Sequence, residues 1–313
     1  MNDKKISIIL STYDREQYIG RAIENILNQT FKDFEFIIIN NGSSDNTRQI
    51  CEKYQKSDSR IRLLNIQKNV GISKARELGV GTAKGEYIAF IDDDDICEKE
   101  MIEFLYNLAI DNQADISICG SVSDYGDRIE PYFVYDDILV LDKVKGLDEF
   151  LKREKFNTAP PTKLFKKKLF QNIHFLNNVR IDDIHFMYKV FAAAEKTVAH
   201  GKPLYRFVKH NGNITGFIQT NKLDSQLLDE YLMMQKHRVE YLSEKVPEIS
   251  SRARYSAWSF MISMCDKIKT FNSENCSKQY EYMIKILRDN LTEINISPFL
   301  TDRERLLLKK YVI

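Results

Sequence analysis

Four consecutive aspartates, Asp92 to Asp95, follow the apolar run Tyr87-Ile88-Ala89-Phe90-Ile91, and an acidic pair, Asp182-Asp183, opens a later helical pattern. Adjacent carboxylates repel one another, so a compact quartet at neutral pH needs a compensating cation or unusual solvation. Oxygen donors of this kind suit Mg²⁺ or Mn²⁺, which prefer carboxylate and phosphate oxygens. A solvated loop capping the next helix would carry the same residues, but the quartet's place at a buried strand end favours the cation. Taken alone, Asp182-Asp183 reads first as an acidic first turn stabilised by the helix dipole, with a proton-accepting carboxylate as the alternative. The histidines say less: His185 reads as packing, and His210, before Asn211-Gly212-Asn213, as loop polarity. Lys163 and Arg180 could meet a phosphate or an acceptor, although ordinary salt bridges explain them equally well. No Ser-His or Cys-His arrangement suggests a covalent nucleophile.

The elements that must hold these residues alternate two periods. Ile6 to Leu10 is a β-branched run that predicts a strand buried on both faces, and Ile19, Ala22, Ile23, Ile26 and Leu27 recur at helical spacing. Strands at Phe34 to Ile39, Ile61 to Ile66 and Tyr87 to Ile91 alternate with helices at Ser44 to Tyr54 and Gly71 to Val80. This is the α/β pattern of a parallel sheet flanked by helices, in which ligands sit beyond the carboxyl ends of the strands. Asn40-Asn41 and the aspartate quartet both fall at such ends. Between Ile116 and Leu141 the chain turns aromatic and turn-rich, suggesting short antiparallel strands or a loop over the site. Helices are expected at Leu147 to Arg153 and Asp183 to Ala194, and a strand at Leu204 to Val208.

The chain has 313 residues, 43% hydrophobic and 29% charged, which fits a globular protein and excludes a disordered or collagen-like one. All 12 glycines lie between Gly20 and Gly216, so two architectures are expected: an α/β domain over 1–220 and a helical domain over 221–313, broken at Pro247 and Pro298. With 46 basic against 45 acidic residues, nucleic acid is not an expected partner. Five scattered cysteines without a CxxC pair predict reduced thiols. With no signal-peptide pattern and no long apolar run, the expected location is cytoplasmic, with peripheral contact at the inner membrane face as a further option.

Several segments resemble family 2 glycosyltransferases. These are Ile6 to Asp14, Leu27-Asn28-Gln29-Thr30-Phe31-Lys32-Asp33-Phe34-Glu35, Asn40-Asn41-Gly42-Ser43-Ser44-Asp45, Asn69-Val70-Gly71-Ile72-Ser73-Lys74-Ala75-Arg76 and Gly85 to Asp95, with weaker matches at Lys163-Leu164-Phe165, Asp182-Asp183 and Tyr205-Arg206-Phe207. The resemblance spans residues 4 to 215 and implies a GT-A fold, a nucleotide-sugar donor, a divalent metal and inversion at the anomeric carbon. By the same resemblance, Ser11 and Tyr13 line the base pocket and Arg76 lies near the nucleotide. Asp92 supports the ribose side with Asp93 beside it, Asp94 ligates Mn²⁺ or Mg²⁺, and Asp183 is the general base.

One departure stands out: relatives often carry Asp-Asp-Gly-Ser where this chain has Asn40-Asn41-Gly42-Ser43. Asn41 can still accept from a pyrimidine N3–H, whereas guanine, with two adjacent donors, favours a carboxylate. The expected reaction moves a hexose or N-acetylhexosamine from a UDP-sugar to a hydroxyl of a glycan, lipid-linked or protein-linked acceptor. A non-catalytic nucleotide- or glycan-binding module is the alternative. A sugar-nucleotide pyrophosphorylase would need a Gly-rich, Arg-containing loop that is absent after the first strand. The helical extension suits a homo-oligomer contact or docking of a partner glycosyltransferase.

Overall fold

The computed structural model describes residues 4–210 and 223–313. The chain divides into two compact units, residues 1–209 and 210–313; the boundary expected near residue 220 and the Asn211-Gly212-Asn213 segment lie outside the described residues.

The first unit starts with the expected alternation: β1 (Ile6–Thr12), α1 (Ile19–Leu27), β2 (Phe34–Asn41), α2 (Thr47–Ser57), β3 (Ile61–Ile66), α3 (Ile72–Thr82) and β4 (Tyr87–Phe90). These four strands pair in parallel in the order β3-β2-β1-β4. Both faces of β1 and β2 are covered, which is why they are nearly unbroken runs of Ile and Phe. One face, Ile6, Ile8, Leu10, Phe34, Phe36 and Ile38, packs on the α1 stripe of Ile19, Ala22, Ile23 and Ile26.

The second half of the sheet is mixed. After the quartet come β5 (Ile96–Cys97), α4 (Met101–Asp111), β6 (Ile116–Asp124), β7 (Ile129–Tyr132), β8 (Ile138–Asp142), α5 (Lys143–Lys152), β9 (Lys163–Lys166), α6 (Asp183–Ala193) and β10 (Lys196–Val208). β9 inserts antiparallel between β4 and β6, and β10 runs parallel to β6. Of the two expectations for Ile116 to Leu141, antiparallel strands hold: β6 pairs antiparallel with β7 and β9, and β8 with β10, although β6 is an inner strand of the main sheet. One expectation changes: the strand ending at Val208 starts at Lys196, passing a register shift between His200 and Tyr205. α4 starts at Met101, because β5 intervenes after the quartet.

The second unit is helical: α7 (Ser225–Lys245), α8 (Ser250–Thr270), α9 (Ser277–Asp289), α10 (Leu291–Asn295) and α11 (Asp302–Tyr311). Its core gathers Leu228, Tyr255, Trp258, Met261, Met283 and Leu287, so the Trp258–Met261 stripe is largely core, as its spacing suggests. Pro247 opens the short turn between α7 and α8. All five cysteines are free and buried. Among the described residues no helix is long and apolar enough to cross a membrane.

Candidate active site

The loops leaving β1 and β2 are laced together at the carboxyl ends of the strands. Asp14, at φ +50°, accepts from the Ser44 N–H at 2.7 Å, while Ser43 Oγ accepts from the Asp14 N–H at 3.0 Å. The Ser44 N–H holds the Asp14 carboxyl below its ordinary range. Thr47 Oγ1 accepts from the Arg15 N–H at 2.8 Å, and Glu16 Oε2 from the Asn46 N–H at 3.0 Å. Ser11 lies part-buried at the end of β1, and Tyr13 is 42% exposed beside it.

Asn41 is buried. Its Oδ1 accepts from the Val70 N–H at 3.0 Å, and its Nδ2 donates to Asn69 Oδ1 at 3.1 Å, so its orientation is fixed by the chain itself. Gly42 makes this close approach feasible: its φ is +79°, and an added Cβ would stand 2.5 Å from the Lys68 carbonyl carbon. Gly42→Ala is therefore expected to cost about 2 kcal/mol or more, through backbone strain and overpacking together. Urea unfolding followed by circular dichroism measures it, and an unchanged midpoint would remove the close-approach argument.

Burial alternates along the aspartate quartet. Asp93 and Asp95 point inward at 7% and 5% exposure, whereas Asp92 and Asp94 are part-buried at the surface of the loop. Asp93 lies 3.5 Å from Arg15 Nε, and burial pushes its carboxyl up to about 7. Asp95 accepts from the Val208 N–H at 2.8 Å, and desolvation raises it well above the usual carboxylate range. Tyr205, fully buried on β10, accepts from the Asp92 N–H at 3.3 Å and shares a hydrogen bond with Asp95. The Asp94 carbonyl accepts from Arg21 Nη2 at 2.7 Å.

Arg76 links this loop to α6. It donates to Asp92 Oδ1 at 3.0 Å and to Asp182 Oδ1 at 2.6 Å, while its guanidinium lies 5.9 Å from the Phe90 ring centroid. Asp182 is 4% exposed and its Oδ2 has no partner among the described residues. Asp183 follows on the first turn of α6, with Oδ1 buried and likewise unpartnered. Desolvation, reinforced by the neighbouring Asp182 charge and opposed by Arg76, raises the Asp183 carboxyl to about 6. A carboxylate with an unused oxygen and a raised pKa is suited to accept a proton near neutral pH.

The structure thus brings Arg76, Asp92 and the acidic pair together, and places Ser11, Tyr13 and Asn41 on the neighbouring strand ends. His185 is buried at 3%, in line with a packing role. Sequence reasoning did not single out Tyr205 as the organiser of the quartet, Asp182 as the partner of Arg76, or Lys163 as fully buried. The Lys-Leu-Phe, Asp-Asp and Tyr-Arg-Phe matches are the signals these residues carry in the sequence, but the contacts of Arg76 and Tyr205 join residues as far apart as 113 positions.

Among the described residues no group of three or more His, Cys, Asp or Glu side chains converges to hold a metal ion. Any metal here would take few ligands from the chain. That fits Mg²⁺ or Mn²⁺, which bind through one or two carboxylates, waters and substrate phosphate oxygens.

The chain matches the family described as Glycosyl transferase family 2 over residues 7–175. It is 33% identical over 220 residues to the glycosyltransferase GlyG of Streptococcus pneumoniae, covering 67% of this chain and 72% of that protein. Among solved structures, S. aureus TarS in complex with UDP-GlcNAc superposes with a TM-score of 0.73 at 20% identity, over 97% of this chain and 83% of the other. The mannosyltransferase PcManGT of Pyrobaculum calidifontis, in complex with GDP-Man and Mn²⁺, gives 0.51 at 13% identity, over 100% and 86%. The strand order, the acidic loop at the end of β4 and these matches agree: the chain belongs to glycosyl transferase family 2, has the GT-A fold with a helical C-terminal region, and is an enzyme that transfers glycosyl groups.

Proposed function

We propose that the enzyme moves a hexose or N-acetylhexosamine from a UDP-sugar to a hydroxyl of a glycan, lipid-linked or protein-linked acceptor, in one inverting displacement. The observation that carries this reading is the Arg76 bridge, which ties Asp92 of the acidic loop to Asp182 at the start of α6, next to Asp183. Asp183 takes the proton of the attacking hydroxyl. Asn41 retains one carbonyl lone pair and one amide hydrogen, the complement of the uracil N3–H and its adjacent carbonyl. The UDP-GlcNAc bound by TarS supports the same choice of base. Asp94 would hold Mn²⁺ or Mg²⁺ with diphosphate oxygens and water. Such an ion, when bound, neutralises the charge that grows on the leaving diphosphate. Tyr13 and Ser11 frame the base, and Asp92, oriented by Arg76 and Tyr205, faces the ribose side. The buried free thiols fit a reducing, cytoplasmic setting.

The test is a nucleotide-sugar panel with and without Mn²⁺, read by mass spectrometry for released nucleotide and transferred sugar. Turnover of UDP-sugars, abolished by EDTA and restored by Mn²⁺, is expected. Asp94→Asn should need roughly ten-fold or more Mn²⁺ for half-maximal rate. Turnover of GDP-sugars alone, or full activity in EDTA, would overturn the donor or the metal assignment respectively.

A further inference from the structure

The helical unit holds a cleft of about 380 Å³, within the range of small-ligand sites, about 300–1,000 Å³. One wall is a face of α9, where Tyr280, Glu281, Ile284, Lys285, Arg288 and Asp289 recur at helical spacing. Tyr311 of α11 lines the other side. Ile284, 6% exposed, and the two phenol rings supply the apolar part, and the four charged side chains the polar part.

Both rings are fixed from α8. Lys269 Nζ lies 4.3 Å from the Tyr280 ring centroid, and Tyr311 Oη donates to Asp266 Oδ1 at 2.9 Å. Arg288 Nε donates to the Val312 carbonyl at 2.9 Å, which ties α9 to the end of α11 and orients the guanidinium. The charged groups are not consumed by one another. Glu281, Lys285 and Asp289 stand four residues apart, the spacing at which Arg48 and Glu52, Asp148 and Lys152, and Lys236 and Glu240 pair in this chain. Yet among the described residues Glu281, Lys285, Arg288 and Asp289 have no ion-pair partner. Two carboxylates and two cations therefore share one cleft without net charge.

We propose that this cleft is a second saccharide-binding site, taking a sugar unit or two of a neutral glycan. The balance of charge selects that ligand. A phosphate or nucleotide would meet Lys285 and Arg288 but also the Glu281 and Asp289 carboxylates, which repel it. An apolar helix would have to strip water from four charges. A sugar hydroxyl both donates and accepts, so neighbouring hydroxyls can donate to the carboxylates and accept from the guanidinium and ammonium. The C–H face of the same sugar ring can lie on a phenol ring and bury apolar surface there. A glycan held in this way stays tethered to the chain that carries the transfer site, which raises its effective concentration. That role rests on the reading of the acceptor as a glycan; the binding itself does not.

The experiment titrates the full chain, without donor, with chitotriose, cellotriose and maltotriose, following the Arg288 Nε–H and tyrosine ring resonances by NMR. The signals are assigned by their loss in Arg288→Gln, Tyr280→Ala and Tyr311→Phe. At least one trisaccharide is expected to shift all three saturably, and Tyr280→Ala and Glu281→Ala should each raise its Kd roughly ten-fold. Asp183→Asn should bind it as the wild type does. No shift with any of the three sugars, or a Kd that both cleft variants leave unchanged, overturns the proposal. Should Tyr280→Ala not fold, Glu281→Ala decides alone, because Glu281 is exposed on the surface of α9. Mass spectrometry that finds transfer only to non-saccharide acceptors would instead remove the glycan-acceptor reading and with it the tether, a failure the titration does not mimic.

Discussion

Asp183→Asn is expected to lower kcat by roughly 10²–10⁴-fold while leaving UDP affinity unchanged, and to make the protein more stable. The loss follows from the proposed role of Asp183 as the group that takes the acceptor proton. The gain follows from the environment that makes Asp183 useful: its buried Oδ1 has no partner, and desolvation with the Asp182 charge raises its carboxyl to about 6. Because its folded-state pKa lies above the unfolded value, Asp183 costs nothing at low pH and destabilises the fold as pH rises through about 6. The neutral amide escapes that cost, on the order of 1–3 kcal/mol at pH 8, and the two proteins should converge toward pH 4. The same titration shapes wild-type activity, which should fall about ten-fold per unit below pH 6 because only the carboxylate accepts a proton. Thermal unfolding of both proteins from pH 4 to 8, with initial rates over the same range, checks each part. A variant that transfers at the wild-type rate, or is less stable at pH 8, refutes the account.

Much of the frame that carries Asp183 is legible in the sequence because β1, β2 and α1 are governed by burial alone. Runs of Ile and Phe can only be two-sided strands of this length, and the α1 stripe can only lie on them. β6 escapes the same reading. It holds Ser117, Gly120 and Ser121 at inner positions, where Ser117 Oγ donates to the Leu105 carbonyl at 2.7 Å and Ser121 Oγ to the Tyr132 carbonyl at 2.8 Å. Small hydroxyls satisfied by backbone carbonyls are buried at little cost but look like a loop in sequence. β10 is hidden similarly by Gly201 and Pro203 at its register shift. α11 did carry a signal, the Thr301–Glu304 capping box, although its apolar pattern is weak.

The site divides along the same line. Motif spacing identifies the acidic quartet and Asp183, but the alternation along the quartet depends on distant segments, Asp95 bonding to β10 and Asp93 meeting Arg15 and Thr12 at the end of β1. The partners of Arg76, Asp92 and Asp182, come from segments that only the fold brings close. These long-range contacts decide which of the adjacent carboxylates remain available for chemistry.

The second large effect concerns Arg76 itself. Arg76→Met keeps the length of the side chain and its contact with Phe90, but leaves Asp182 buried at 4% exposure without its cation. Removing one partner of a buried pair costs about 3–5 kcal/mol, more than the intact pair contributes, because the orphan charge cannot be solvated. Asp92 adds less, since its side chain is 38% exposed and water screens it. The pH dependence distinguishes this mechanism from simple misfolding. Arg76 is the cation that lowers the Asp92 carboxyl against desolvation. Burial raises the Asp92 carboxyl, and without Arg76 to oppose it Asp92 binds its proton still more tightly folded than unfolded. The penalty is then smallest below about pH 4, where the unfolded state is protonated as well, and grows as pH rises toward 8. Urea unfolding of wild type and Arg76→Met at pH 4.5 and pH 8 measures the difference. A deficit of equal size at both pH values would show that Arg76 acts through packing rather than charge. The double variant Arg76→Met with Asp182→Leu should recover most of the stability at pH 8, because the buried carboxylate is removed along with its counterion, while remaining inactive, because the tie between the acidic loop and the start of α6 is lost.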